Sequence, residues 1–219
     1  MATLAPPPPR SERSARNGVD FLRDLGDVPW ERILFDPPPG TVTADYYSAI
    51  DGRVGEMLVE LVDGTLVANA LGFWESVIGC NLMVPLWHAV KQRKLGFVIG
   101  AAGAVRLANG NGRMPDVAVY LRSDLPNGKL PKERVPQIPP RLTVQILKED
   151  NTAAEIDKKL LEFFASGCRL AYVIDPKART ARRYTSPDDF NTIEVDGVLD
   201  GGDVLPGFEL ALATLFEEE

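Results

Sequence analysis

Histidine occurs once in the 219 residues, as His88, and cysteine twice, as Cys80 and Cys168. One histidine excludes a zinc site built from several. It also leaves Ser-His-Asp chemistry unsupported, because no G-x-S-x-G elbow accompanies it. Two cysteines far apart in apolar surroundings read as small hydrophobes rather than a disulfide or metal pair. There is no G-x-x-x-x-G-K-[ST] loop and no glycine-rich dinucleotide fingerprint. No apolar run approaches the ~20 residues that span a bilayer. The start MATLAPPPPR lacks the basic head and apolar core of a signal peptide, so a soluble, cytoplasmic protein is expected. Basic residues are in the minority, with a net charge of −7, which argues against a broadly cationic nucleic-acid surface while leaving room for a local basic groove.

What is present begins with a Pro-rich, then Ser/Arg-rich, segment over residues 1–16, too polar and Pro-rich to order itself. Residues 1–36 are expected to form a disordered or irregular arm, with a short helix near Val19–Leu25, and residues 37–219 the folded domain. Thr43 reads as the N-cap of a helix over Ala44–Val54. In MLVELVDGTLVA two apolar runs flank Asp63-Gly64, a hairpin signal. Residues 72–93 have helical spacing, with Val77, Cys80, Leu82, Val84, Trp87 and Val90 expected to face the core and Pro85 to kink or interrupt. Strands are expected at Phe97–Ile99, Ala104–Leu107, Pro115–Leu121 and Leu142–Leu147, with a long Pro-rich loop from Arg122 to Pro140. Thr152 and Glu155 form a capping box for a helix that Gly167 should end. LAYVIDP and ARTARRYTS then read as a hairpin, followed by short strands and a last helical turn at Ala213–Phe216. Hairpins plus one strand–helix–strand unit give a mixed α/β (α+β) fold.

Two polar residues interrupt this apolar pattern. Asp116 stands at the start of one strand, and Gln145 in the middle of the next, within TVQILK. Side chains alternate along a strand, so Leu142, Val144 and Ile146 share one face and Arg141, Thr143 and Gln145 the other. If the two strands are antiparallel neighbours, Asp116 and Gln145 can meet on one side. Lys159 follows on the next helix, four residues after Glu155, the favourable order for a helix-surface ion pair.

The segments PPGTVTADYYSAID, ELVDGTLV, the GFWES helix start, RMPDVAVYL, TVQILKEDNTAAEIDKK, KKLLEFFASGCRLAYVIDPKART and LDGGDVLPGFEL together resemble the Uma2 family, formerly a domain of unknown function, of PD-(D/E)XK restriction-endonuclease-like nucleases. The resemblance runs from about Pro37 to the C-terminus. It implies a mixed sheet flanked by helices, with an added hairpin. It implies cleavage of DNA phosphodiesters with Mg²⁺ or Mn²⁺ held by acidic residues. The residues it points to are Asp116, Gln145, Lys159 and Glu75, with Asp116, Glu75 and Gln145 as metal ligands and Lys159 as the catalytic lysine.

The chain departs from the family's strand motif, which reads like E-V-L-S: Gln145 stands where Glu is implied and Lys148 where Ser is. An amide oxygen brings no charge to a divalent ion, and one contact carboxylate is worth several kcal/mol even at an effective dielectric near 20. Weak metal binding and impaired cleavage are therefore expected, unless Asp63 or Glu60 on the hairpin compensates. The alternative is a non-catalytic pseudo-nuclease that binds nucleic acid or a protein partner, with a homodimer as one form of it. Each position also has a plainer reading: a solvated strand-start Asp116, a surface Lys159, a Glu75 that favours the positive end of its helix, and a polar Gln145 on a half-exposed strand.

Overall fold

A computed structural model describes residues 17–69 and 72–217. The expected disorder of residues 1–16 lies outside the described residues. In chain order the elements are α1 (Gly18–Asp24), α2 (Ala44–Ala49), β1 (Arg53–Val54), β2 (Met57–Val62), β3 (Thr65–Ala68) and α3 (Phe73–Gln92). There follow β4 (Gly96–Gly100), β5 (Val105–Arg106), β6 (Gly112–Arg113), β7 (Val117–Leu121), β8 (Leu142–Ile146) and α4 (Ala153–Ser166). The chain closes with β9 (Leu170–Asp175), β10 (Thr180–Ser186), β11 (Asp189–Ile193), β12 (Val198–Asp200), β13 (Glu209–Ala211) and a 3-10 turn at Leu212–Phe216. No helix among the described residues is long and apolar enough to cross a membrane.

The main sheet has six strands in the order β11-β10-β9-β8-β7-β4. Only β8 and β9 are parallel, joined by α4, because a parallel pair needs a crossover rather than a turn. Strand alternation then feeds two cores. Leu142, Val144 and Ile146 of β8 pack with Ile78, Leu82, Leu86 and Val90 of α3 on one face. Ala171 and Val173 of β9 pack with Ile156, Leu160 and Phe163 of α4 on the other. The face shared by Thr143 and Gln145 is thus the one α4 covers, and both residues are buried rather than half-exposed. At the start of α4 the Thr152 hydroxyl accepts from the Glu155 N–H, and Gly167 ends the helix at φ 115°, both as the sequence predicts.

A second sheet is built on the β2–β3 hairpin, in the order β1-β2-β6-β5 with β3 on β2. Its turn places Asp63 and Gly64 at φ 47° and 78°, the twist a two-residue hairpin needs. The first part of the chain is not a free arm within the described residues. Leu25, Val28 and Ile33 are buried against Val62 and Val67 of the hairpin.

Three expectations change. The helix at 44 stops at Ala49, not Val54, where the backbone turns through Asp51 and Gly52 at positive φ. The helix at 73–92 runs through Pro85, whose missing N–H is offset by the buried row Ile78, Leu82, Leu86 and Val90. That row also replaces part of the expected core face: Val84 and Trp87 are exposed, and so is Cys80. Apolar residues surround this helix, so spacing alone does not select the buried side. Finally, the loop from 122 to 140, of a length that usually marks a functional or mobile connection, is pinned by buried Leu125, Val135 and Ile138.

Candidate functional site

Asp116 extends the β7 edge by one residue, its N–H donating to the Val144 carbonyl at 3.1 Å. Its carboxylate turns back onto β8, where Oδ2 accepts the Ile146 N–H at 2.7 Å. The side chain therefore brackets Gln145 from the neighbouring strand, so the sheet register places these two together as the alternation predicts. Lys148, just past β8, holds its ammonium 3.9 Å from Asp116 Oδ1 and donates to Asn69 Oδ1 at 2.8 Å. Gln145 is buried, and among the described residues its Nε2 has no hydrogen-bond partner.

Lys159 is fully buried on α4, not on its surface. Its ammonium lies 3.2 Å from Glu60 Oε2 and 3.4 Å from Glu155 Oε1. Glu60 comes from the middle of β2, and is also reached by Arg113 Nη1 at 3.0 Å and by the Met114 N–H at 3.0 Å. Arg113, itself buried, forks to Glu162 on α4 through Nε at 2.7 Å. Arg32, from the segment ahead of the hairpin, clamps Glu155 with two bonds of 2.9 Å. The hairpin, the N-terminal segment and α4 are thus sewn together by buried ion pairs.

The titration behaviour follows from burial and these neighbours. Burial raises the Glu60 carboxyl, but Lys159 and Arg113 outweigh it and hold the group below the usual range. Burial also opposes ionised Glu155, yet Lys159 and Arg32 bring it down to about 2. Burial disfavours the Lys159 ammonium, and Glu60 and Glu155 more than reverse that. Asp116 and Lys148 behave differently. Burial lifts the Asp116 carboxyl above its ordinary value and lowers the Lys148 ammonium below its own, because a 3.9 Å separation attracts too weakly to offset desolvation.

Of the predicted site residues, Asp116, Gln145 and Lys159 fall on or against the α4 side of the sheet, and Asp116 is coupled electrostatically to Lys159 and Glu60. Glu75 is not brought to them. Its carboxylate folds over Gly72 at the start of α3, and among the described residues no hydrogen bond or ion pair joins it to the other three. The acid that meets Lys159 from the N-terminal side is Glu60. The signal for it was a single carboxylate inside the apolar strand run MLVELV. Asp63 lies farther out, paired with Lys158 at 3.0 Å. A groove of about 930 Å³ runs along the exposed side of α3 past Trp74, Cys80 and Val84, and none of these charged residues lines it.

Among the described residues, no three His, Cys, Asp or Glu side chains converge to hold a metal ion. Formal charges explain why. The carboxylates of Glu60, Asp116, Glu155 and Glu162 face the cations of Arg32, Arg113, Lys148 and Lys159, and the set is neutral. A divalent ion requires a surplus of hard anionic oxygen, which this arrangement lacks. The residues present do not fit Mg²⁺ or Mn²⁺.

The model of one protein family, Uma2, described as "Putative restriction endonuclease", matches residues 45–213. Among solved structures, a "putative nuclease belonging to DUF820" from Anabaena variabilis superposes with a TM-score of 0.70 at 19% identity, covering 80% of this chain and 97% of the other. No curated protein matches the chain.

Proposed function

Because the chain belongs to the Uma2 family, we propose that it is a nuclease by descent, of the class that hydrolyses DNA phosphodiesters with a divalent metal, in which residues 145 and 148 have impaired that chemistry. The observation that carries this reading is the Lys148 ammonium beside Asp116. The family's strand motif implies Glu at 145 and Ser at 148. Restoring both would remove one positive charge and add one negative, leaving the cluster with a surplus of two negative charges. That is the charge of one divalent cation. Lys148 and the neutral amide of Gln145 together supply internally what a metal would otherwise bring.

Two further features support the reading. Lys159 is enclosed by Glu60 and Glu155, so its ammonium has no open side for a phosphate. One oxygen of Asp116 is already committed to the Ile146 N–H. A second reading, a non-catalytic module that binds nucleic acid or protein, is favoured by the same neutrality, because a balanced cluster is a sound structural core for such a module.

The test is plasmid nicking with Mg²⁺ and with Mn²⁺, paired with calorimetric metal titration. Wild type is expected to nick slowly or not at all and to bind neither ion tightly. Gln145→Glu/Lys148→Ser is expected to gain metal affinity by at least about tenfold, since ~1.4 kcal/mol suffices for that, and to gain nicking that Asp116→Ala abolishes. Robust wild-type nicking lost in Asp116→Ala alone would overturn the proposal. Metal binding restored without nicking would favour the non-catalytic module.

A further inference from the structure

The main sheet ends in two edge strands, β11 and β4, and a cationic groove lies along β4. This strand pairs with β7 on one side, and among the described residues no strand pairs with it on the other. The hydrogen-bonding direction can be read from the ladder. Arg122 donates its N–H to the Leu95 carbonyl at 2.7 Å, continuing the register Gly96↔Leu121. In an antiparallel pair such bonding alternates, so Leu95, Phe97 and Ile99 turn to β7 while Gly96, Val98 and Gly100 point their polar groups outward. The Gly100 carbonyl is taken by the Gly103 N–H. Among the described residues, both Val98 groups and those of Gly96 remain for an incoming strand.

A groove of about 540 Å³ runs along this edge, and consecutive residues from Gly96 to Ile99 line it, so it follows the backbone rather than one sheet face. Its walls carry Lys91 and Lys94 from the end of α3, and Arg122 from beyond β7. A neighbouring hollow shares Ile99 and Leu130 and adds Arg134. Neither is lined by Asp or Glu. A row of cations on a chain of net charge −7 is a local reversal of sign.

We infer that the β4 edge is a docking strip for an extended acidic peptide segment of a partner protein, which adds to the six-stranded sheet as a further strand. Main-chain pairing would supply affinity and the cationic walls the preference for acids. The same cations argue against a second copy of this chain, because two-fold pairing at β4 would set Lys91, Lys94 and Arg122 against their own equivalents. They also fit single-stranded nucleic acid less well. Stacking needs open ring faces, and Lys91 already lies 4.1 Å over the Trp87 ring while Arg122 lies 5.0 Å over Phe97.

The experiment is fluorescence anisotropy with a labelled short peptide of alternating valine and glutamate. Comparators are a valine–lysine peptide, the acidic peptide N-methylated at alternate backbone positions, and a short oligothymidylate. The acidic peptide is expected to bind, the N-methylated form to lose binding, and the lysine peptide to bind at least about tenfold more weakly. Lys91→Glu/Lys94→Glu should weaken the acidic peptide by a similar factor. Val98→Pro removes one outward N–H without touching the β7 ladder, and should abolish binding while circular dichroism stays native. The inference falls if the acidic peptide does not bind, if N-methylation leaves binding unchanged, if oligothymidylate binds more tightly at the same edge, or if sedimentation shows the edge pairing two copies of this chain.

Discussion

Lys148 and Gln145 carry the proposed loss of metal chemistry, and each makes a separate demand on the fold. Gln145 Nε2 is a buried donor without an acceptor, and such a group costs about 1–3 kcal/mol. Gln145→Met keeps the volume and removes the donor. It is expected to raise stability by roughly 1 kcal/mol in urea unfolding, and a loss of that size would show that the amide is satisfied in solution. Glu155 sets a pH dependence. Its carboxyl is ordinary in the unfolded chain, near 4.5, and held at about 2 in the folded one. A depressed carboxylate stabilises above the unfolded value, and that contribution is lost as pH falls through 4.5 toward 2. About 3 kcal/mol is at stake. The urea midpoint of wild type should fall steeply across this window, and that of Glu155→Gln should fall less, from a lower starting point.

At the scale of elements, α4 is where the charges are gathered. Arg113 crosses from β6 to join Glu60 on β2 with Glu162 on α4. Removing one partner of a buried pair leaves the other uncompensated. Arg113→Ala is therefore expected to cost about 3–5 kcal/mol, read by thermal melting as a drop on the order of 10 °C. A much smaller drop would mean that water enters and screens the carboxylates. The limits of sequence reading are clearest on the two long helices. For α4, the Thr152 cap and the terminal glycine agree, so its ends were legible, while the burial of Glu155, Lys159 and Glu162 was not. For α3, apolar residues at Cys80, Val84 and Trp87 compete with Ile78, Leu82 and Leu86, and only the sheet beneath decides between them. Glu75 opens that helix, where the resemblance puts the first acid. Glu60 sits inside a hairpin pattern, which reads strands and turns and says little about an ion pair to a distant helix. Asp116 and Gln145 met as expected because period-two alternation and strand pairing are local rules.

At the scale of the molecule, the N-terminal segment belongs to the folded body. Leu25, Val28 and Ile33 bury apolar surface on the hairpin, and Arg32 reaches Glu155. Burying side chains of this size is worth about 1.5–3 kcal/mol each. Deleting residues 1–36 is therefore expected to destabilise the protein by at least about 5 kcal/mol in urea unfolding. An unchanged midpoint would show that this packing is absent in solution. The neutral cluster and the cationic β4 edge are also separate features of the whole. Among the described residues no hydrogen bond or ion pair joins Lys91, Lys94 or Arg122 to the charged groups under α4, so variants at either should leave the other's readout unchanged.

The Arg32–Glu155 clamp has a consequence for how the protein is made. Its two halves are 123 residues apart in the chain. At about 5–20 residues per second of synthesis, Arg32 is joined to the chain roughly 6–25 seconds before Glu155 is. The nascent hairpin must spend that interval with Glu60 and Arg32 still solvated, and the first and last parts of the chain close on each other only after α4 has emerged.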